Sequence, residues 1–211
     1  MSENTGGWTL VARFSNADTK SWMRDDAYWW YDIQSPQGSP TSTSSNYDMI
    51  SEAFWRVKGS EIKIIRSDDS SNTALLRTHS NCLGANTFRG VLSSYGNFSH
   101  GKVWPDDKCL GSCPVYYGGS YKSTEGFNQA HCSGNIQSSN YIGFCCQWDF
   151  GDASVMMIGG GGSGCGRSDH GIGITENEYG TFVYTALEEY DFGDNASPYP
   201  TSSYSLNVWV H

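Results

Sequence analysis

The chain has 211 residues and a formal net charge of −9, from 13 Lys and Arg against 22 Asp and Glu. So acidic a chain repels nucleic-acid backbones and anionic membranes, which argues against both as partners, and its length suits one domain with a sizeable core. Charged residues make up only 17% and aromatic residues 14%, with 8 Trp and 13 Tyr, while Ser, Asn, Thr and Gly carry the polar load. That balance is typical of secreted, loop-rich binding domains rather than cytosolic enzymes.

In chain order, Gly6-Gly7-Trp8 reads as a turn that leads into a strand ending near Phe14. The segment 22–31 packs Tyr28, Trp29, Trp30 and Tyr31 beside Asp25 and Asp26. Residues 35–46, rich in Ser, Thr, Pro and Gly, form a loop. Residues 48–57 suit a short helix or strand, and 61–66 alternate like a half-buried strand. A turn at 68–72 precedes a short strand at 73–77, and 86–94 is the best helix candidate. Residues 101–121, with Pro105, Pro114 and clustered Gly, read as loop. Short strands then alternate with Gly/Asn/Ser loops, and 204–210 alternates cleanly enough to be a core strand. The class expected is α+β, mostly β, with a few short helices. Trp148-Asp-Phe-Gly-Asp-Ala is echoed by Tyr190-Asp-Phe-Gly-Asp-Asn, which two similar Asp-Gly turns explain as well as a duplication does.

Seven cysteines (Cys82, Cys109, Cys113, Cys132, Cys145, Cys146 and Cys165) favour an oxidising compartment, and an odd number leaves at least one free or paired outside the chain. No apolar run reaches transmembrane length, so no membrane insertion is expected. Residues 1–5 read as an engineered leader, and secretion would require a signal upstream of it. The sequons Asn97-Phe-Ser and Asn195-Ala-Ser are compatible with secretion, although Pro198 makes the second a poorer acceptor.

The stretch 144–180 organises the rest. Val155, Met156, Met157 and Ile158 run into four consecutive glycines, Gly159 to Gly162, which suit a loop whose backbone turns or approaches something closely. Around it stand Asp149, Asp152, Asp169, His170, Glu176 and Glu178, with Cys165 as a staple. Hard oxygen donors on such a loop are what calcium requires. Asp149, Asp152, Asp169, Glu176 and Glu178 are therefore the candidate metal ligands, with loop carbonyls completing the shell. The competing reading makes them turn-formers and solvated charges. No EF-hand loop occurs.

Gly6-Gly-Trp-Thr-Leu-Val-Ala resembles the opening of fibrinogen-related domains. Later stretches are similar to the intelectins, the X-type lectins: Tyr47-Asp-Met-Ile, Phe54-Trp55, Leu75-Leu-Arg-Thr, Tyr95-Gly, Gly101-Lys-Val-Trp, Ile158-Gly-Gly-Gly-Gly, Cys165-Gly and Tyr179-Gly-Thr, in that order and across nearly the whole chain. The resemblance implies one fibrinogen C-terminal-like domain over 6–211, with long disulfide-stapled loops and a calcium-bearing recognition half at about 100–200. It also implies a secreted or cell-surface lectin that binds cell-surface or microbial glycans through vicinal hydroxyls. Weak single-site affinity would call for a homo-oligomer or a larger multivalent protein. Asp152 and Asp169 fall near the family's ligand positions, whereas Ser154 and Val155 stand where the intelectins carry a Glu-His pair. The family's Glu after the glycines has no counterpart, and its aromatic box falls near Ile174 and Tyr184, of which only Tyr184 is aromatic. The segment that precedes Gly-Gly-Trp in the family is also missing.

The ligand-facing candidates are thus Asp152, Asp169, His170, Tyr179 and Tyr184. His170 suits either a ligand hydroxyl or a local hydrogen bond, the commoner fate of such a histidine. Cys109, Cys113 and His131 have spacing open to zinc, but no matching second pair follows, and disulfides account for them better. Cys145 and Cys146 would face opposite ways on a strand and pair elsewhere. In Trp29-Trp30 and Tyr116-Tyr117, at most one ring of each pair should be exposed, for the same reason. Enzyme motifs fail on context. Gly159, Gly161 and Gly164 fit Gly-x-Gly-x-x-Gly without a βαβ unit, Asp149-Phe-Gly151 lacks the other kinase elements, and no Gly-x-Ser-x-Gly elbow occurs. A non-catalytic binding domain is expected, with an adhesive, protein-binding module of the same fold as the alternative.

Overall fold

The computed structural model describes residues 7–15, 34–95, 109–118, 141–149, 152–157, 171–175 and 204–211. Eleven strands and two short helices lie among them, in the order β1 (Thr9–Ser15), β2 (Met49–Ile50), α1 (Ala53–Arg56), β3 (Lys58–Gly59), β4 (Ile62–Arg66), β5 (Leu76–Thr78), β6 (Asn86–Thr87), α2 (Phe88–Ser93), β7 (Cys109–Tyr117), β8 (Tyr141–Asp149), β9 (Asp152–Met157), β10 (Gly171–Thr175) and β11 (Ser205–Val210). Nine of the strands make one sheet, ordered β10-β9-β8-β7-β5-β4-β11-β1-β2, while β3 and β6 pair separately. Every pairing is antiparallel. The protein is mostly β with few short helices, as the succession of short strand-like segments in its sequence suggests.

β11 enters the middle of the sheet between β1 and β4, so the first and last strands are neighbours. Its alternation sends Leu206, Val208 and Val210 into the core. A register shift between Leu10 and Ala12 lets Val11 and Ala12 both face that core, with Phe14 beyond them. The two helices cover the same face. In α2 the hydroxyl of Thr87 accepts a hydrogen bond from the Gly90 amide at 2.9 Å, a cap that starts the helix where the sequence suggests one. Phe88 and Leu92, one turn apart, are buried, and Phe88 meets Phe54 of α1 edge to face at 5.5 Å. The core continues under β7 to β10 through Val115, Ile142, Phe144, Val155, Met156 and Ile172.

The opposite face carries polar residues. Arg13, only 1% exposed, donates from Nε to Asn207 Oδ1 at 2.8 Å and from its terminal nitrogens to the carbonyls of Ser39 and Ser42. Asn207 donates to the carbonyl of Thr43 at 2.7 Å and Ser205 to that of Ser45 at 2.9 Å. The Ser/Thr-rich loop is thereby strapped across β1 and β11, its carbonyls satisfied by side chains instead of a ladder.

One expectation is overturned. Residues 109–117, expected as loop, form the nine-residue strand β7 in the middle of the sheet. Gly and Pro lower its intrinsic strand propensity, but two disulfides and two neighbouring strands supply what propensity lacks. Gly111 is needed there because a β-carbon would lie 2.1 Å from the Tyr95 hydroxyl, which crosses the strand to stack on Phe144. Pro114 contributes its carbonyl to the His79 amide.

Candidate functional site

β8, β9 and β10 form a meander at one side of the sheet. β9 begins at Asp152, and its run of Val155, Met156 and Met157 is the strand the sequence points to. Asp149 and Asp152 are register partners at the hairpin end, joined through Phe150 and Gly151. A register shift between Gln147 and Asp149 precedes them, an irregularity of the kind that re-aims side chains. Like charges at directly opposed ladder positions are as a rule destabilising.

Thr175, the last residue of β10, pairs with Ala153 at this same end of the ladder. At the other end Met157 pairs with Gly171, where residues 158–170 join β9 to β10. Asp169 and His170 come just before Gly171 in the chain. The five steps of β9 from Asp152 to Met157 span roughly 16 Å at the usual strand rise. That length separates the hairpin end of β9 from the end where Met157 pairs with Gly171. Asp169, His170, Glu176, Glu178, Tyr179 and Tyr184 lie outside the described residues, as do Trp29, Trp30, His131, Cys132 and Cys165. Among the described residues no group of three or more His, Cys, Asp or Glu is arranged to hold a metal.

The hairpin is anchored by sulfur. Cys109 and Cys146 are register partners on β7 and β8 and form a disulfide, three residues before Asp149. A second disulfide joins Cys82, in the loop after β5, to Cys113. Cys109 and Cys113 are both consumed in this way, which removes the zinc alternative for them. Cys145 is a free, buried thiol, and desolvation pushes its pKa well above the ordinary value, so it remains protonated and is no nucleophile or metal ligand at neutral pH. It takes a left-handed backbone, φ 53°, inside β8. The side-chain alternation reverses there: Ile142, Phe144 and Cys145 all join the core, and Cys146 falls on the side of Gly143. The vicinal cysteines face opposite ways, as the strand argument requires, but only Cys146 pairs elsewhere; the expected partner for Cys145 is not there, since its thiol is buried in the core as a free group.

Tyr116 is 68% exposed, while Tyr117 packs against the core and donates its hydroxyl to the Tyr141 carbonyl at 2.9 Å. Sequence reasoning missed a further group around Tyr116: His79, Arg77, Lys63 and Trp8. Lys63 and Arg77 sit at the polar positions of two apolar strands, a visible signal, but their adjacency depends on register. Among the described residues no helix is long and apolar enough to cross a membrane. The two disulfides fit an oxidising environment. The chain matches no protein-family model and no curated protein.

Proposed function

We propose that the protein is a secreted or cell-surface, calcium-dependent glycan-binding domain of fibrinogen/intelectin-like architecture, a binding module without catalytic chemistry. The observation that carries this reading is the direct opposition of Asp149 and Asp152 at the end of a disulfide-anchored hairpin. Hard carboxylate oxygens that repel one another are relieved by a divalent cation, and calcium accepts six to eight oxygens at 2.3–2.6 Å. Glu176, which follows Thr175 of β10, the partner of Ala153 beside Asp152, is the third donor this reading adds. Asp169 and His170, which precede Gly171, would face the ligand beside the glycine loop, with Asp169 also a candidate metal ligand. Calcium-bound water would be exchanged for paired sugar hydroxyls, with Tyr179 and Tyr184 as aromatic walls. Useful avidity would come from multivalency, through a homo-oligomer or a larger protein. A glycan array probed with and without chelator tests the reading: chelator-sensitive binding supports it, and an array silent at high protein valency counts against it.

One observation favours a second reading, an adhesive or protein-binding module of the same fold. Val155, at one of the positions where the intelectins carry the Glu-His pair, is fully buried in the core and offers no ligand atom. Chelator-insensitive capture of a protein partner, with no glycan bound, is the outcome this reading expects.

A further inference from the structure

We propose that the face of the sheet turned away from the helices carries a separate, calcium-independent site for an acidic carbohydrate chain, built on Lys63, Arg77 and Tyr116. Trp209, Lys63, Arg77 and Tyr116 are successive register partners on β11, β4, β5 and β7. Partners in one rung share a face, so these four side chains form a row across four strands. Lys63 and Arg77, of like charge, stand directly opposite each other, an arrangement that costs stability unless it is compensated. Trp8 compensates part of it, with Lys63 Nζ 4.5 Å from its ring centre and the Arg77 guanidinium at 5.3 Å. Glu61 pairs with Arg77 at 2.9 Å and is the one carboxylate serving the two cations among the described residues. The row therefore keeps an excess of positive charge on a chain of net charge −9. Burial, and then Arg77, lower the Lys63 pKa, so an added anion would be favoured there.

The rest of the row suits sugar rings. Tyr116 is 68% exposed, and His79 stacks on it at 4.4 Å with an interplanar angle of 17°. An open aromatic face held rigid by a second ring offers contact area at low entropy cost. Strands lie about 4.8 Å apart, close to the length of one pyranose unit, so adjacent rungs can meet adjacent sugars. The Arg77 side chain, 52% exposed, is placed to take a carboxylate or sulfate while a neighbouring ring lies on Tyr116. An acidic peptide would satisfy the cations but has no regular flat face for the aromatic end. Nothing in the row draws on the β8–β9 hairpin, so this site stands whether or not the hairpin binds calcium.

The test is calorimetry in EDTA with an oligogalacturonate, a dextran sulfate of matched length, neutral dextran and polyglutamate. One or both anionic glycans should bind, neutral dextran should not, and affinity should fall as salt rises. The two anionic arms distinguish carboxylated from sulfated chains. Arg77→Gln should weaken binding at least about tenfold and Tyr116→Ala, at an exposed position, about fivefold. Glu61→Gln, which frees Arg77, should tighten it, an effect that a merely structural role would not produce. Absence of binding to both anionic glycans, equal binding of polyglutamate, or wild-type affinity in Tyr116→Ala would each overturn the proposal.

Discussion

Cys146 Sγ lies over the backbone of Gly143, where a β-carbon would come within 2.6 Å of it and within 2.5 Å of Cys109 Sγ. The disulfide and the glycine are therefore one unit. Gly143→Ala should cost about 1–3 kcal/mol, the usual penalty for forcing an extra carbon into a packed site. In a Cys109→Ser, Cys146→Ser background the penalty should shrink, which a double-mutant cycle by urea unfolding measures. Equal penalties in both backgrounds would refute the coupling.

Arg13 holds the 39–43 strap through two main-chain carbonyls and Asn207. Arg13→Ala leaves the buried Asn207 Oδ1 and the part-buried carbonyls of Ser39 and Ser42 without a charged donor. The expected loss is about 3 kcal/mol, in the range for buried charge-assisted hydrogen bonds. Limited proteolysis should then cut within 39–44 before it cuts elsewhere. An intact strap with unchanged urea midpoint would show that the network is not what holds it.

Cys145 supplies a pH signature. Burial raises its folded-state pKa above the unfolded value of about 8.5. The folded state thus keeps a proton that the unfolded state loses, so stability is full below about pH 8.5 and falls as pH rises beyond it. Burial also raises the pKa of Tyr95, so its contribution falls only above about pH 10. Stability measured from pH 7 to 10 should decline with a slope approaching about 1.4 kcal/mol per unit, and Cys145→Ala should flatten it. An unchanged slope in Cys145→Ala would assign it elsewhere. In the native protein, Cys145 should resist alkylation, as peptide mapping can show.

Much of the ladder is visible in the residues. The alternation in 61–66 and 204–210 corresponds to β4 and β11, and one member of Tyr116-Tyr117 is exposed as period-2 geometry demands. Which member it is depends on phase, and phase is set by tertiary contacts. β7 was hidden because Gly111 and Pro114 argue locally for a loop, while the forces that straighten the segment are disulfides and neighbouring strands distant in sequence. The inversion at Cys145 was hidden because a left-handed backbone is ordinarily announced by Gly or Asn. Of the site residues, Asp149 and Asp152 could be named but not seen as partners, since pairing across a hairpin depends on the neighbouring register shift. The row from Trp209 to Tyr116 joins strands separated by most of the chain, and no local pattern encodes it.

In the proposed function, Asp149 and Asp152 at the end of the β8–β9 hairpin hold calcium for a sugar. Isothermal titration of calcium into the wild-type chain and into the Asp149→Asn, Asp152→Asn double variant, with melting curves on the same samples, decides it. Saturable calcium heat and a calcium-dependent rise in Tm in the wild type, both lost in the double variant, are the predicted result. A wild-type chain indifferent to millimolar calcium, or a double variant that binds it equally well, would contradict the claim.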